Sequence, residues 1–368
     1  MLTNADAEAE APSGCAIRLG VGAEAEPARF AQPGGFHDFD GCPHDSVSPV
    51  RGNCGGYMRP RFRAGPAFSL PSIVAMVTKT VLVTGGGRGL GRVTAEKLAV
   101  LGHRVILVAR TSVAAETARD EIHRRHPHVQ VEARSVDLSA LSRVRDFAIS
   151  EAERGEPVDV LFHVAGVMQT STSRRVTVDG YEETLAVNVL APFLLTALLL
   201  PALERSASAR VVTVSSRLHL PGSRGRPVDF DFDDPQLERG YHPDRAYKNS
   251  KLAVLWFTYE LQRRMAGRKI TANAVCPGFV PTTAAASTTG VMRLTMLYVM
   301  PHMPFATSVD NATDSLVFMA VDRSIEGVGG EFFGERHVIE SSPQSRDDDQ
   351  ARRFWELAQH LTGSPYTH

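Results

Sequence analysis

Between residues 79 and 275 short apolar runs alternate with amphipathic stretches of helical period, and no other feature of the chain constrains its fold more tightly. The runs 79–84, 104–109, 129–136, 158–164, 210–215 and 270–275 read as strands. Between them, 89–101, 112–125, 139–153, 181–203 and 245–266 place apolar residues at helical spacing. Strands that are apolar on both faces and joined by crossover helices predict the α/β class: a doubly wound parallel sheet built as one domain. An apolar segment at 290–305, a helix near 308–320 and a charged helix at 346–361 follow. There is no internal repeat and no second core.

Residues 1–75 differ in kind. They are rich in Ala, Gly, Pro and Glu and have neither period, so they are expected to form a disordered N-terminal extension ahead of a folded domain at 76–368. Met76 stands three residues before the first strand, and a chain starting there is expected to suffice. The first residues are acidic where a secretory signal would be basic and then apolar, so the expected compartment is the cytoplasm. The longest apolar run, Leu185 to Leu203, contains Asn188, Pro192, Thr196 and Pro201, and reads as a buried helix, giving no transmembrane segment. With 40 basic and 41 acidic residues, the chain lacks the basic excess of a nucleic-acid-binding surface. Its four cysteines show no metal-ligand spacing, and no metal site is expected.

The first strand runs directly into Thr84-Gly-Gly-Gly-Arg-Gly-Leu-Gly91, which opens a helix. A glycine-rich turn in this position lets backbone approach a pyrophosphate and aims helix N-terminal amides at it, as in Rossmann-like sheets. The second strand ends at Arg110, about 20 residues past Gly91, where an acid would mark NAD and an arginine suits a 2′-phosphate. With Arg88 inside the turn as a second cation, the expected cofactor is NADP(H).

In Tyr247-Lys-Asn-Ser-Lys251 the phenol and the ammonium lie one helical turn apart on the same face. A phenol can exchange a proton with a carbonyl or alcohol oxygen when a neighbouring cation lowers its pKa from about 10. The pair follows the strand Arg210-Val-Val-Thr-Val-Ser-Ser216, whose end faces the crevice where such sheets bind ligands.

Together the glycine turn, Asp137-Leu138, the helix carrying Asn188, the serine pair, the Tyr/Lys pair and the loop Cys276-Pro-Gly-Phe-Val-Pro-Thr282 resemble the short-chain dehydrogenase/reductase family over almost all of 78–363. The resemblance implies that Tyr247 is the general acid/base, that Lys251 lowers its pKa and holds the nicotinamide ribose, and that Ser216 rather than Ser215 binds the substrate oxygen. Asn188 would hold a proton-relaying water. Gly85, Arg88, Gly89, Leu90, Gly91, Arg110, Asp137, Leu138, Ala165, Gly166, Pro277, Gly278, Val280 and Thr282 would join Tyr247 and Lys251 around the cofactor. One departure is His163-Val-Ala-Gly166 where the family has Asn-Asn-Ala-Gly, which implies altered local hydrogen bonding; His163 is read as a structural donor outside the catalytic set.

Phe193-Leu-Leu-Thr196, Asp229-Phe-Asp-Phe-Asp-Asp234, Ser250-Lys-Leu-Ala253 and Ser341-Ser-Pro-Gln344 are similar to the family's retinol dehydrogenase-like branch. This implies a small, lipophilic alcohol or carbonyl substrate. Met292, Met296 and Met300 recur at helical spacing and suit a lid over such a substrate, or equally a core or subunit-contact helix. The long helices at 181–203 and 245–266 resemble the family's subunit contacts, implying a homodimer or homotetramer. A secondary-metabolite ketoreductase and a non-catalytic dinucleotide sensor or scaffold remain alternatives.

Overall fold

The computed structural model describes residues 78–364 and 366, apart from 223–224, 286–287 and 289. The expectations for residues 1–75 and Met76 lie outside the described residues. One sheet carries parallel strands β1 (Thr80–Thr84), β2 (Arg104–Ala109), β3 (Val131–Ser135), β4 (Val160–His163), β5 (Ala209–Val214), β6 (Ile270–Cys276) and β7 (Phe332–Gly334), with β8 (His337–Val338) antiparallel at its edge. Their order is β3-β2-β1-β4-β5-β6-β7-β8. β1 to β6 lie where the sequence pattern puts them. β7 and β8, of three and two residues, are too short to display a period; β7 is defined by its pairing with β6, from Ala274 opposite Phe332 to Cys276 opposite Gly334.

The helices are α1 (Gly89–Val100), α2 (Ser112–Arg125), α3 (Leu141–Glu153), α4 (Glu183–Glu204), α5 (Pro243–Arg264), α6 (Gly290–Tyr298), α7 (Val309–Val321) and α8 (Asp348–Thr362). Because side chains alternate along a strand, the sheet feeds two cores. Val81, Val83, Leu107 and Phe162 meet α1, α2 and α7 on one face. Leu82, Ile106, Leu161 and Val211 meet α3, α4, α5 and α8 on the other. The most apolar window of α4 is 83% buried within the chain, which makes it a core helix.

Helices α4 and α5, whose resemblance to the family's subunit contacts implies an oligomer, also pack within the chain. Much of their outward apolar surface is covered by α8 of the same chain: Trp355 stacks on Phe257 of α5 with ring centroids 6.1 Å apart and meets Phe193 of α4 edge-on at 4.8 Å. Intrachain packing therefore accounts for these apolar residues.

Candidate active site

Strand order reverses between β1 and β4, so the ligand crevice of the sheet opens beyond their C-terminal ends. Thr84, the last residue of β1, ties the two strands there: its hydroxyl donates to the Phe162 carbonyl and accepts from the Ala165 N–H, both at 3.3 Å. The turn that follows admits only glycine at its tightest points. Gly85 has φ +72°, and a Cβ on it would lie 2.9 Å from the Ala165 backbone; one on Gly91 would collide with the Gly85 carbonyl.

Among the described residues, no side chain caps the start of helix α1. Arg88 at its N-cap makes no side-chain cap bond, and the first turn holds no carboxylate. By contrast, Thr111, His242, Ser308 and Asp347 cap α2, α5, α7 and α8, and the Asp179 carboxylate accepts from Leu141 N–H at 2.6 Å at the start of α3. Uncapped amides above a turn of such small residues fit a pyrophosphate. At the far end of the crevice Arg110 is exposed and donates from Nε to Asp137 at 3.1 Å. Burial tends to raise the Asp137 carboxyl, but bonds from the Ser139 hydroxyl and N–H and the Arg110 charge outweigh it, leaving the carboxyl below its ordinary range. Arg88 is exposed and pairs with no acid among the described residues. Leu90 is half-buried in the core, while Leu138 is buried beside the crevice rim.

The catalytic candidates converge at the ends of β4 and β5. The Lys251 ammonium, buried, donates to the Val214 carbonyl at 2.9 Å, two residues before Ser216, and lies 5.3 Å from the centre of the Tyr247 ring. A Cβ on Gly166 would sit 3.4 Å from Asn188 Oδ1 and 3.7 Å from Lys251 Nζ, so this glycine separates the two groups. Asn188 lies in a π turn, Ala186–Leu190, within α4. Its amide accepts from Val167 N–H at 2.7 Å and donates to the Val167 carbonyl at 2.9 Å and to Ser250 Oγ at 3.0 Å. Ser250 in turn donates to the Tyr247 carbonyl at 2.7 Å. The side chain of Asn188 is thus a strut between the loop after β4 and α5.

Both ionisable groups are shifted by burial. The Tyr247 phenol is pushed up to about 12 and the Lys251 ammonium down to about 8. The expected lowering of the phenol is therefore not what these residues produce by themselves, because desolvation disfavours each charged form. The serines separate clearly. Ser215 is buried and donates to the Lys251 carbonyl at 2.9 Å, whereas Ser216 is half-buried and its oxygen only accepts, at 3.3 Å, from Leu218 N–H. Ser216 is the one with a hydroxyl proton to offer.

His163 is structural. Thr196 Oγ1 already donates to the Pro192 carbonyl at 2.7 Å, so His163 Nε2–H donates to that hydroxyl at 2.9 Å. Complete burial pushes the imidazole down to about 3, which keeps it neutral.

Over the crevice, Gly278 has φ +84° and packs against Thr307, whose N–H donates to the Phe279 carbonyl at 2.7 Å. Pro277 is half-buried, Val280 buried and Thr282 exposed. The next residue, Thr283, touches the glycine turn: its Cγ2 lies 3.3 Å from where a Gly89 Cβ would be. Sequence reading stopped one residue short of this contact, and likewise missed the roles of the Val214 carbonyl and the Ser250 hydroxyl, because each is set by a partner brought close only on folding.

The fold and this constellation define a dinucleotide-binding α/β oxidoreductase. The chain belongs to the short-chain dehydrogenase/reductase family, in its retinol dehydrogenase-like branch: the short chain dehydrogenase family pattern matches residues 79–228. It is 34% identical over 298 residues to human retinol dehydrogenase 14, covering 77% of this chain and 86% of that protein. To human retinol dehydrogenase 13 it is 36% identical, covering 80% and 87%. Among solved structures it is similar to an uncharacterised protein from Mycobacterium paratuberculosis, with TM-score 0.61 and 34% identity over 79% of this chain and 95% of that one. A Beutenbergia cavernae protein described as an NAD(P)-dependent gluconate 5-dehydrogenase, solved with NADP at low occupancy, matches with TM-score 0.54 and 27% identity over 70% and 96%.

Proposed function

We propose that the protein is an NADP(H)-dependent oxidoreductase that interconverts an alcohol and a carbonyl group on a small lipophilic substrate, with Tyr247 as general acid/base. The observation that carries this reading is the meeting of Tyr247, Lys251, Asn188 and Ser216 at one end of a crevice whose other end presents Arg110 and Arg88. Bound NADPH would supply a hydride, with its pyrophosphate against the α1 amides and its 2′-phosphate against the two arginines.

At the substrate end, Ser216 donates to the carbonyl oxygen and holds it in place. Tyr247 delivers the proton that the developing alkoxide needs. Burial holds the Tyr247 phenol in its protonated, donating form; the direction towards carbonyl reduction rests on analogy with NADP(H)-dependent members of the family. Lys251, titrating near 8, remains a cation at neutral pH and offsets the charge left on the phenol. A lipophilic substrate is supported by the retinol dehydrogenases named above and by residues 290–305, where Met292, Met296 and Met300 follow one another at helical spacing and none is buried. The rings of Phe305, at the end of this segment, and Phe279 of the crevice loop are 6.0 Å apart, which supports reading the segment as a lid. The reading also includes a cytoplasmic homodimer or homotetramer, by analogy with the family.

Oxidation of NADPH and NADH with a panel of aldehydes, ketones and enones, beside reduction of NADP⁺ with matched alcohols, tests the reading. NADPH is expected to be preferred and Arg110→Ala to erase most of the preference. Tyr247→Phe and Lys251→Ala are each expected to lower turnover by about 100-fold or more. Carbonyl reduction should fall as pH rises through about 8, where Lys251 loses its proton. Near-parental turnover in both variants would overturn the assignment.

A further inference from the structure

His219 lies three residues beyond Ser216, with its side chain fully inaccessible to solvent. Its Nδ1 is 2.5 Å from the Ser216 carbonyl oxygen, and its Nε2 is 3.2 Å from the Ser342 N–H. A carbonyl only accepts and an amide N–H only donates, so the two partners fix the tautomer: Nδ1 carries the proton and Nε2 accepts. Phe332 packs edge-on against the ring at 5.1 Å. Both nitrogens are satisfied, and burial lowers the imidazole pKa more than the Ser216 bond raises it, so the ring stays neutral.

The other end of this link is firmly held. Ser342 Oγ accepts from Ser345 N–H at 3.2 Å, and Ser345 Oγ donates to the Ser342 carbonyl at 2.6 Å. Neighbouring residues anchor the segment to α5: Tyr259 donates its hydroxyl proton to Ser341 Oγ at 2.9 Å, and Trp256 Nε1 donates to the Gln344 carbonyl at 2.9 Å. Helix α5 is the element that carries Tyr247 and Lys251. The Ser216 side chain, in contrast, has a single long internal bond, so its hydroxyl is placed mainly through its backbone.

We propose that His219 is a positioning residue: by donating to the Ser216 carbonyl it fixes the Ser216 hydroxyl relative to the Tyr247/Lys251 pair, through the segment at 341–345 and α5. The proposal rests on the reading of Ser216 as the group that binds the substrate oxygen. It accounts for a part of the chain, Ser341-Ser-Pro-Gln344, that the reaction itself does not use.

The test compares His219→Ala, His219→Asn and His219→Gln with Ser216→Ala and the double variant Ser216→Ala/His219→Ala, using NADPH and an accepted carbonyl substrate. An asparagine amide can reproduce the Nδ1 donor to Ser216 but not the Nε2 acceptor, and glutamine can reproduce the acceptor but not the donor. His219→Ala is expected to lower kcat about 10- to 100-fold with the Kd for NADPH unchanged, the scale of a small misplacement of a reacting group. Asparagine should recover most of this loss and glutamine little. In the Ser216→Ala background, removing His219 should cost no further activity, because the two residues act as one unit.

Three results overturn the proposal: kcat of His219→Ala within about twofold of the parent, rescue by glutamine but not asparagine, or losses that add in the double variant. Parental turnover in Ser216→Ala would overturn the underlying reading as well, and that single variant identifies the case. If thermal melting shows that His219→Ala does not fold, the asparagine and glutamine pair decides, since each retains one of the two bonds.

Discussion

Helices α6 and α8 both come late in the chain, and their composition suggests the reverse of where they lie. Residues 290–305 contain one formal charge, Arg293, yet α6 buries none of its residues: Val291 is 79% exposed, Leu294 57% and Tyr298 70%. Helix α8 is crowded with Asp, Arg, Glu and His, yet it holds Trp355 and Phe354 at 0% and 1% exposure. The difference lies in whether the apolar face is covered. Ala351, Phe354, Trp355, Ala358 and Thr362 form one stripe that closes over α4 and α5, while the charges face water. The apolar residues of α6 are left exposed within the chain, which is the condition the proposed lid requires.

Breaking the comparison at α8 should have the largest effect. Trp355→Ala opens a cavity among Phe193, Phe257 and Tyr366 and is expected to destabilise the fold by about 3–5 kcal/mol, measured by chemical denaturation. Trp355→Phe keeps a ring there and removes an indole N–H that has no partner among the described residues, so it should cost much less. Equal losses from both variants would mean that packing is not what holds α8.

The corresponding changes in α6 should leave stability alone and alter substrate use. Leu294→Ser and Tyr298→Ser are each expected within about 0.5 kcal/mol of the parent in stability. Together they should raise KM for a long-chain carbonyl substrate about 10-fold, with little change for a short one, as expected when apolar contact is lost only to the bulky ligand. An unchanged KM for both substrates would remove the lid from the proposed function.

The smallest expected effect is at the N-cap of α8. The Asp347 carboxylate accepts bonds from the backbone N–H and the side chain of Gln350 and from Asp349 N–H, which hold it below its ordinary range. Asp347→Ala should cost about 1 kcal/mol at neutral pH. Since the folded value is depressed, the contribution is complete above the unfolded value of about 3.9 and is lost as pH falls through the folded one. The difference in stability between parent and variant should therefore shrink in acid; a constant difference would show that charge plays no part in the cap.

Most of the fold was legible because its information is local. Alternation along β1 to β6 and the stripe on each flanking helix are properties of consecutive residues, and so is the demand for glycine at 85 and 91. The Tyr247/Lys251 pair was visible for the same reason, being one turn of helix. β7 was not visible, because a three-residue strand exists only through its neighbour. The preference for Ser216 over Ser215 came from motif position; that the Ser215 hydroxyl is taken up by the Lys251 carbonyl was visible only in the packed structure.

The sequence by itself determined the doubly wound sheet, the phosphate-sized turn and which residues could exchange a proton, since backbone sterics and side-chain chemistry belong to the residues whatever surrounds them. Tertiary structure alone decided that α8 covers α4 and α5, that His219 links Ser216 to Ser342, which lies 123 residues beyond His219, and that Tyr247 is driven up while Lys251 is driven down. Those outcomes depend on desolvation and on partners distant in the chain, and both arise only when the chain packs.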